Sequence, residues 1–282
     1  MPYRLQNDEP LASGLKRVAE EEVTAAIRDL ESNKIYEVRK HLKKVRALLN
    51  LLGPQLGALA HEENRRLRDL ARRFSPLRDL DVSLEVLESF ASQYKRKNTL
   101  NPQRHALAAK QSAQLAALRF EAAESLPLLQ STRRRIEDWP LQALTSTLAY
   151  ARLEKTHKES RRAFLQALQT RTVEDLHELR KSVKRELNQR RLFNAPEAHI
   201  RDLKDLSQFL GDHHNLAVLL DNLENSSGRF RRMAMRNLKL HETQILSLAA
   251  RLYESQQQAA SPEIPKLLIG AFEPSRKRPT AP

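Results

Sequence analysis

Tyr36-Glu37-Val38-Arg39-Lys40-His41-Leu42-Lys43-Lys44 returns later in the chain as His177-Glu178-Leu179-Arg180-Lys181-Ser182-Val183-Lys184-Arg185. Two more matches follow in the same order. Leu67-Arg68-Asp69-Leu70 pairs with Leu203-Lys204-Asp205-Leu206, and Leu77-Arg78-Asp79-Leu80-Asp81-Val82 with His213-His214-Asn215-Leu216-Ala217-Val218. The first pair is offset by 141 residues, from 36 to 177, and the later pairs by 136, from 67 to 203 and from 77 to 213. A loop of different length accounts for the change. Ordered matches at a nearly fixed offset are the signature of an internal duplication, against the alternative of chance similarity among Leu/Arg-rich helices.

Each copy reads as a helix with two faces. At about 100° per residue, Val38, Leu42, Val45, Leu49 and Leu52 fall on one narrow apolar stripe, while Tyr36, Arg39, Lys43, Arg46 and Asn50 fall about 120° away. From Leu179, the residues His177, Arg180, Lys184 and Arg191 line up in the same way. Segment 36–46 carries Arg39, Lys40, Lys43, Lys44 and Arg46 against a single acid, Glu37. A solvated helix face ordinarily mixes both signs, because like charges three or four apart repel. A one-sign line beside core positions suits a cleft that takes an anion. Arg forks and mobile Lys ammoniums together suit phosphate. The plainer reading is a solvated basic surface.

Working outward, apolar residues recur at spacings of three and four almost throughout, which predicts an all-α chain. The expected helices are 11–32, 34–52, 55–74, 77–97, 102–135, 140–170, 173–193, 198–210, 213–226 and 229–257. Thr172-Val173-Glu174-Asp175 resembles a capping box, Asn101-Pro102 marks a helix start, and Gly53-Pro54 and Ala195-Pro196 mark ends. From Ser261 onward lie five prolines and Arg276-Lys277-Arg278, so 261–282 is expected to be a mostly irregular basic tail with a short apolar anchor at Leu267-Leu268-Ile269.

Composition narrows the function. The 282 residues carry a net charge of +14, more than solubility requires, so an anionic partner is expected. There is no cysteine, which removes disulfides, thiolate metal sites and cysteine nucleophiles. Six glycines leave little for glycine-rich nucleotide loops. Aromatic residues make up 5% and do not interleave with the basic stripe, apart from Tyr36, which disfavours single-strand nucleic-acid platforms. No apolar run reaches membrane length and Met1-Pro2-Tyr3-Arg4 is no signal-peptide start. A cytoplasmic protein is expected, with no membrane partner. His213-His214 are adjacent and so point about 100° apart on a helix, a poor start for a metal site. His177 reads equally as a hydrogen-bonding residue of the core or cleft and as a phosphate donor. Asp79 and Asp81 read as ion pairs that orient cations.

The motif at His177–Arg185, preceded by Arg161-Arg162-Ala163-Phe164, resembles the second-repeat signature of the CHAD family, the conserved-histidine α-helical domain. Leu77–Val82 resembles the first-repeat signature, and Phe209-Leu210-Gly211-Asp212 with Asn215 its counterpart. The resemblance spans about 11–257. It implies two four-helix-bundle-like repeats, about 11–137 and 138–257, related by pseudo-twofold symmetry around a basic cleft or pore, within one domain at 1–260. It also implies non-catalytic binding of inorganic polyphosphate, without a cofactor, in a stand-alone member. Polyphosphate granules are the further location such binding would lead to, and nucleic acid would be a weaker competitor. The residues carried over are Arg39, Lys43, Lys44 and Arg46, then His177, Arg180, Lys181, Lys184 and Arg185, with Arg78 and His214 and, more weakly, His213. Two positions depart from the family pattern: Tyr36 stands where a histidine is common, and Glu186-Leu187 where a hydrophobic and a basic residue usually follow. The alternatives are a nucleic-acid-associated structural protein and, behind it, a phosphohydrolase. Since Arg39, Lys43 and Arg46 avoid the apolar stripe, replacing all three is expected to spare the fold.

Overall fold

A computed structural model describes residues 3–93, 100–223 and 228–254. Among these residues the regular structure is helical, with no strand. The helices are α1 (Leu11–Glu31), α2 (Ile35–Leu51), the short α3 (Gly53–Leu56), α4 (Ala58–Arg73), α5 (Ser75–Gln93), α6 (Asn101–Glu137), α7 (Ser146–Thr170), α8 (Val173–Leu192), α9 (Glu197–Asn222) and α10 (Gly228–Glu254). The tail at 261–282, with its expected apolar anchor, lies outside the described residues.

The periodic stripe explains α2. Val38, Leu42, Val45 and Leu49 are buried, and α1 packs over them. Replacing Leu42 or Leu49 by alanine would cost roughly 2–5 kcal/mol in a packed core. The predicted cap on α8 is present: the Asp175 amide donates to Thr172 Oγ1 at 3.2 Å, satisfying one of the free amides of a helix start. α1 closes with Asn33 in the left-handed region at φ 56°, which asparagine tolerates better than most residues.

Four boundaries differ from the sequence reading. The helix expected from 55 begins at Ala58, because Gly57 in the left-handed region at φ 52° separates it from the short α3. Helices expected at 198–210 and 213–226 are one continuous α9. Gly211 carries an intrinsic helix penalty of about 1 kcal/mol, but the burial of Leu206, Leu210, His213 and Leu216 on one face outweighs it. The helix expected from 140 begins only at Ser146, because Trp139 and Leu141 are anchored in the core before it and Thr145 caps it. Asn101 is the first residue of α6 rather than its cap.

The two halves follow the same packing order. In the first, α1 packs on α2, α2 on α4, α5 on α6, and α6 returns to α1. In the second, α7 packs on α8, α8 on α9, α9 on α10, and α10 returns to α7. The third helix of the first half is divided at Phe74-Ser75-Pro76 into α4 and α5, where α9 runs unbroken. Proline lacks the amide that a continuous helix needs at that point. The halves meet through α2 against α8 and α5 against α9. Gln189 Nε2 donates to the Ala47 carbonyl at 2.9 Å, and Asn222 Nδ2 to Ser83 Oγ at 3.0 Å.

The cores do not follow the repeat boundary. One is built mainly on the first half but includes Ala149, Leu153, Leu192 and Phe193. A second belongs to the second half, around Phe164, Leu179, Val183 and Leu206. The third is composite: Leu80, Leu87, Phe90 and Leu107 interdigitate with Leu216, Leu219, Phe230 and Ala234. The N-terminal segment adds a strap, since the Leu5 amide donates to the Leu192 carbonyl at 2.9 Å.

Candidate anion-binding site

The helix contacts between halves place the two basic stripes face to face. A cavity of about 560 Å³ opens between α2 and α5 on one side and α8 and α9 on the other. Arg39, Lys43 and Arg78 enter from the first half, and Arg180, Lys184 and His214 from the second. Arg191 and Lys204 add charge at its edge, and Asp79 and Asp212 contribute carboxylates. A second cavity of about 460 Å³, lined also by Arg46, Lys181 and Arg185, shares Lys43, Arg180 and Lys184 with the first. These three cations therefore stand where the two cavities adjoin.

Their electrostatics are unusual. Among the described residues no carboxylate forms an ion pair with Lys43, Arg180 or Lys184, and the buried Arg180 Nε has no hydrogen-bond partner. Burial first, and then the neighbouring Lys184, Arg180, Arg39 and Arg78, push the Lys43 ammonium down to about 7. Burial and then Arg180 and Lys40 push Lys184 down to about 8. Arg39, Arg46 and Arg180 are likewise lowered, chiefly by burial. Burial raises Asp79 and Asp212, opposing full neutralisation by these acids. Cations crowded and desolvated in this way are stabilised by an anion that enters.

The remaining basic residues divide by angle. Lys44 turns away from both cavities: its Nζ pairs with Glu22 Oε1 at 2.8 Å and lies 5.1 Å from the Tyr3 ring centroid. Lys44 follows Lys43 by one residue, and that rotates it about 100° off the stripe. Its counterpart Arg185 pairs with Glu159 at 3.0 Å, and exposed Lys181 with Glu178 at 2.6 Å, both at the edge of the second cavity. Arg39 and Arg46 also brace the fold. Arg39 Nη1 donates to the Ala71 carbonyl and, at 2.7 Å, to Ser75 Oγ, tying α2 to the junction of α4 and α5. Arg46 Nε donates to Asn64 Oδ1 at 2.8 Å. Replacing Arg39, Lys43 and Arg46 together therefore removes structural bonds, contrary to the sequence expectation. Arg78 pairs with Glu85 at 3.3 Å and sits 4.4 Å above the Tyr36 ring.

The histidines and acids sort in the same way. His177 Nδ1 and His214 Nδ1 are 3.1 Å apart, so one ring donates and the other accepts. Burial and then Arg180 hold His214 down to about 3, and burial lowers His177, so the pair is neutral near pH 7. His213 is buried in α9 and held down to about 4 by burial and His241. It neither caps a helix nor reaches the cavities. Asp81 does not orient cations; it accepts from Gln111 Nε2 at 2.7 Å. Glu186 is 1% exposed in the second half, accepting from His157 Nδ1 at 2.7 Å and from Tyr253 OH at 3.1 Å. Its departure from the family pattern thus belongs to the core.

Lys204 and Asp212 were not singled out as contacts by the sequence reading, whereas Asp79, read there as orienting cations, does line the cavity beside Arg39, Arg78 and Arg180. The pairing of 77–82 with 213–218 was the available signal, since it sets Arg78 opposite His214 across the cavity. Among the described residues, no group of three or more His, Asp or Glu side chains is placed to hold a metal ion, and no helix is long and apolar enough to cross a membrane.

With this geometry in view, the comparisons converge. A family model described as the CHAD domain matches residues 11–224. The chain belongs to the CHAD family. Its fold is similar to the crystal structure of the CHAD domain from the plant Ricinus communis, at 18% identity and a TM-score of 0.60, covering 96% of each chain. No curated protein matches the sequence. The CHAD match stops at 224, while the helical fold continues through α10, which packs on α9 and α7.

Proposed function

We propose that this CHAD protein binds inorganic polyphosphate without turning it over, through the cavities lined from α2, α5, α8 and α9. The observation that carries this reading is the convergence of Lys43 on α2 with Arg180 and Lys184 on α8, none of them ion-paired to a carboxylate among the described residues. Phosphate oxygens at regular spacing along a chain match cations that face one another across a narrow space. Lys supplies point charges and Arg a bidentate fork. The family resemblance points to the same ligand. A cytoplasmic protein that associates with polyphosphate granules follows from this binding.

Competition provides the test. Fluorescent long-chain polyphosphate is bound to the protein and displaced with unlabelled polyphosphate or with duplex DNA of equal charge concentration. Polyphosphate is expected to compete at least tenfold better. Equal competition would favour a general polyanion surface, and release of inorganic phosphate during the incubation would contradict the non-catalytic reading.

A further inference from the structure

Beside the cation cavity lies a groove of different character, about 580 Å³, within the size range of small-molecule sites. Ile35, Tyr36, Leu77 and Leu115 give it apolar walls, and Asn33, Lys34, Glu37 and Asp81 polar or charged ones. Tyr36 lines both spaces. It is 49% exposed and Leu115 47%, so two large apolar side chains of the groove face open space. The Arg78 guanidinium and the Lys40 ammonium lie over the Tyr36 ring, 4.4 and 5.1 Å from its centroid, so a base would pack against the exposed edge of that ring. A planar group packed there would thus have cationic side chains close by to receive attached phosphates.

We propose that the two spaces together bind a purine nucleoside polyphosphate, the base against Tyr36 and Leu115 and the phosphates among Arg78, Arg39 and Lys43. This extends the polyphosphate reading and rests on it. The base supplies a flat apolar surface of the kind that packs against tyrosine. The Asp81 carboxylate, already fixed by Gln111 at 2.7 Å, accepts hydrogen bonds only. It therefore matches the amino groups carried on purine rings. Inorganic polyphosphate has nothing to place in the groove, so the groove distinguishes a nucleotide from a bare phosphate chain.

Calorimetric titration with ATP, GTP and tripolyphosphate in metal-free buffer tests this. ATP carries one fewer negative charge than tripolyphosphate, so charge alone predicts weaker binding of ATP. The expected result is the reverse: both purine nucleotides bind about tenfold more tightly than tripolyphosphate, the lower end of what stacking one base provides. The ratio of the two affinities is the readout, because it cancels any disturbance of the shared cations. Tyr36→Ala should bring the ratio near one, and Tyr36→Phe should keep it. Leu115→Ser, outside the cation set, should lower the ratio while leaving tripolyphosphate affinity unchanged. Nucleotides no tighter than tripolyphosphate, or a ratio unchanged in Tyr36→Ala, would overturn the inference alone. If neither tripolyphosphate nor long-chain polyphosphate bound, the reading beneath it would fall as well.

Discussion

Lys43 and Lys184 are held down to about 7 and about 8, against an ordinary lysine value near 10.4. A bound polyanion favours the charged amine, so binding takes up protons at pH 8 and affinity falls as pH rises from 7 to 9. Titration at pH 8 in two buffers of different ionisation enthalpy should reveal this uptake, and Lys43→Met should reduce it. Stability of the free protein runs the other way. The unfolded lysines stay protonated up to about pH 10, so between pH 7 and 10 the unfolded state holds more protons and the contribution of these two residues to stability rises with pH. Below pH 7 both states are charged and the contribution is constant. A thermal midpoint that rises less from pH 7 to 9 in Lys43→Met than in the parent is the expected result. At this scale much of the site could be read from the sequence. Helical periodicity alone aligned Arg39 with Lys43 and Arg180 with Lys184. Lys44 entered the expected set through its motif and not through its angle. Its partner Glu22 lies on the preceding helix, and sequence spacing cannot show that pairing.

Whole helices were legible where capping and periodicity agreed, as in α8, and misread between 210 and 213, where a break was expected and α9 is continuous. Gly211 is the instructive position. A Cβ added there meets nothing within 4 Å, and the residue lines the cation cavity. A helical glycine in open space normally costs about 0.5–1 kcal/mol relative to alanine. Gly211→Ala is therefore expected to raise the stability of the free protein by about that amount, measured by urea denaturation. Gly211→Gln would place a longer chain in the cavity and should lower polyphosphate affinity. A loss of stability in Gly211→Ala would show that the open space beside α9 is filled in solution. The division between α4 and α5 had a visible cause in Pro76. The continuity of α9 had none, because it depends on a buried face supplied by distant helices.

For the molecule as a whole, the question is whether a charge of +14 acts as a diffuse field or through one place. Lys43→Met, Arg180→Met and Lys184→Met together remove as many formal positive charges as Arg276→Met, Lys277→Met and Arg278→Met. Charge-assisted contacts in a desolvated site are worth roughly 1.5–3 kcal/mol each, and exposed pairs much less. The first triple should lose far more affinity at one ionic strength. It should also flatten the fall of log K with log salt, because fewer counterions are released on binding. Equal losses in the two triples would mean that the whole surface binds. The ordered motifs predict a duplication, and the helices of the two halves pack in the same order, but the division of the core was not readable. Leu80, Phe90, Leu216 and Phe230 look alike in sequence whether they pack within a half or across it.

That composite core sets a timetable for biosynthesis. Leu80, Leu87, Phe90 and Leu107 are made early, yet the residues that cover them begin at Leu216, about a hundred positions further on. At roughly 5–20 residues per second of translation, the nascent chain displays this apolar surface for about 5–20 s. Over that interval the uncovered leucines are open to non-native contacts, and an arrested ribosome would leave a sticky fragment.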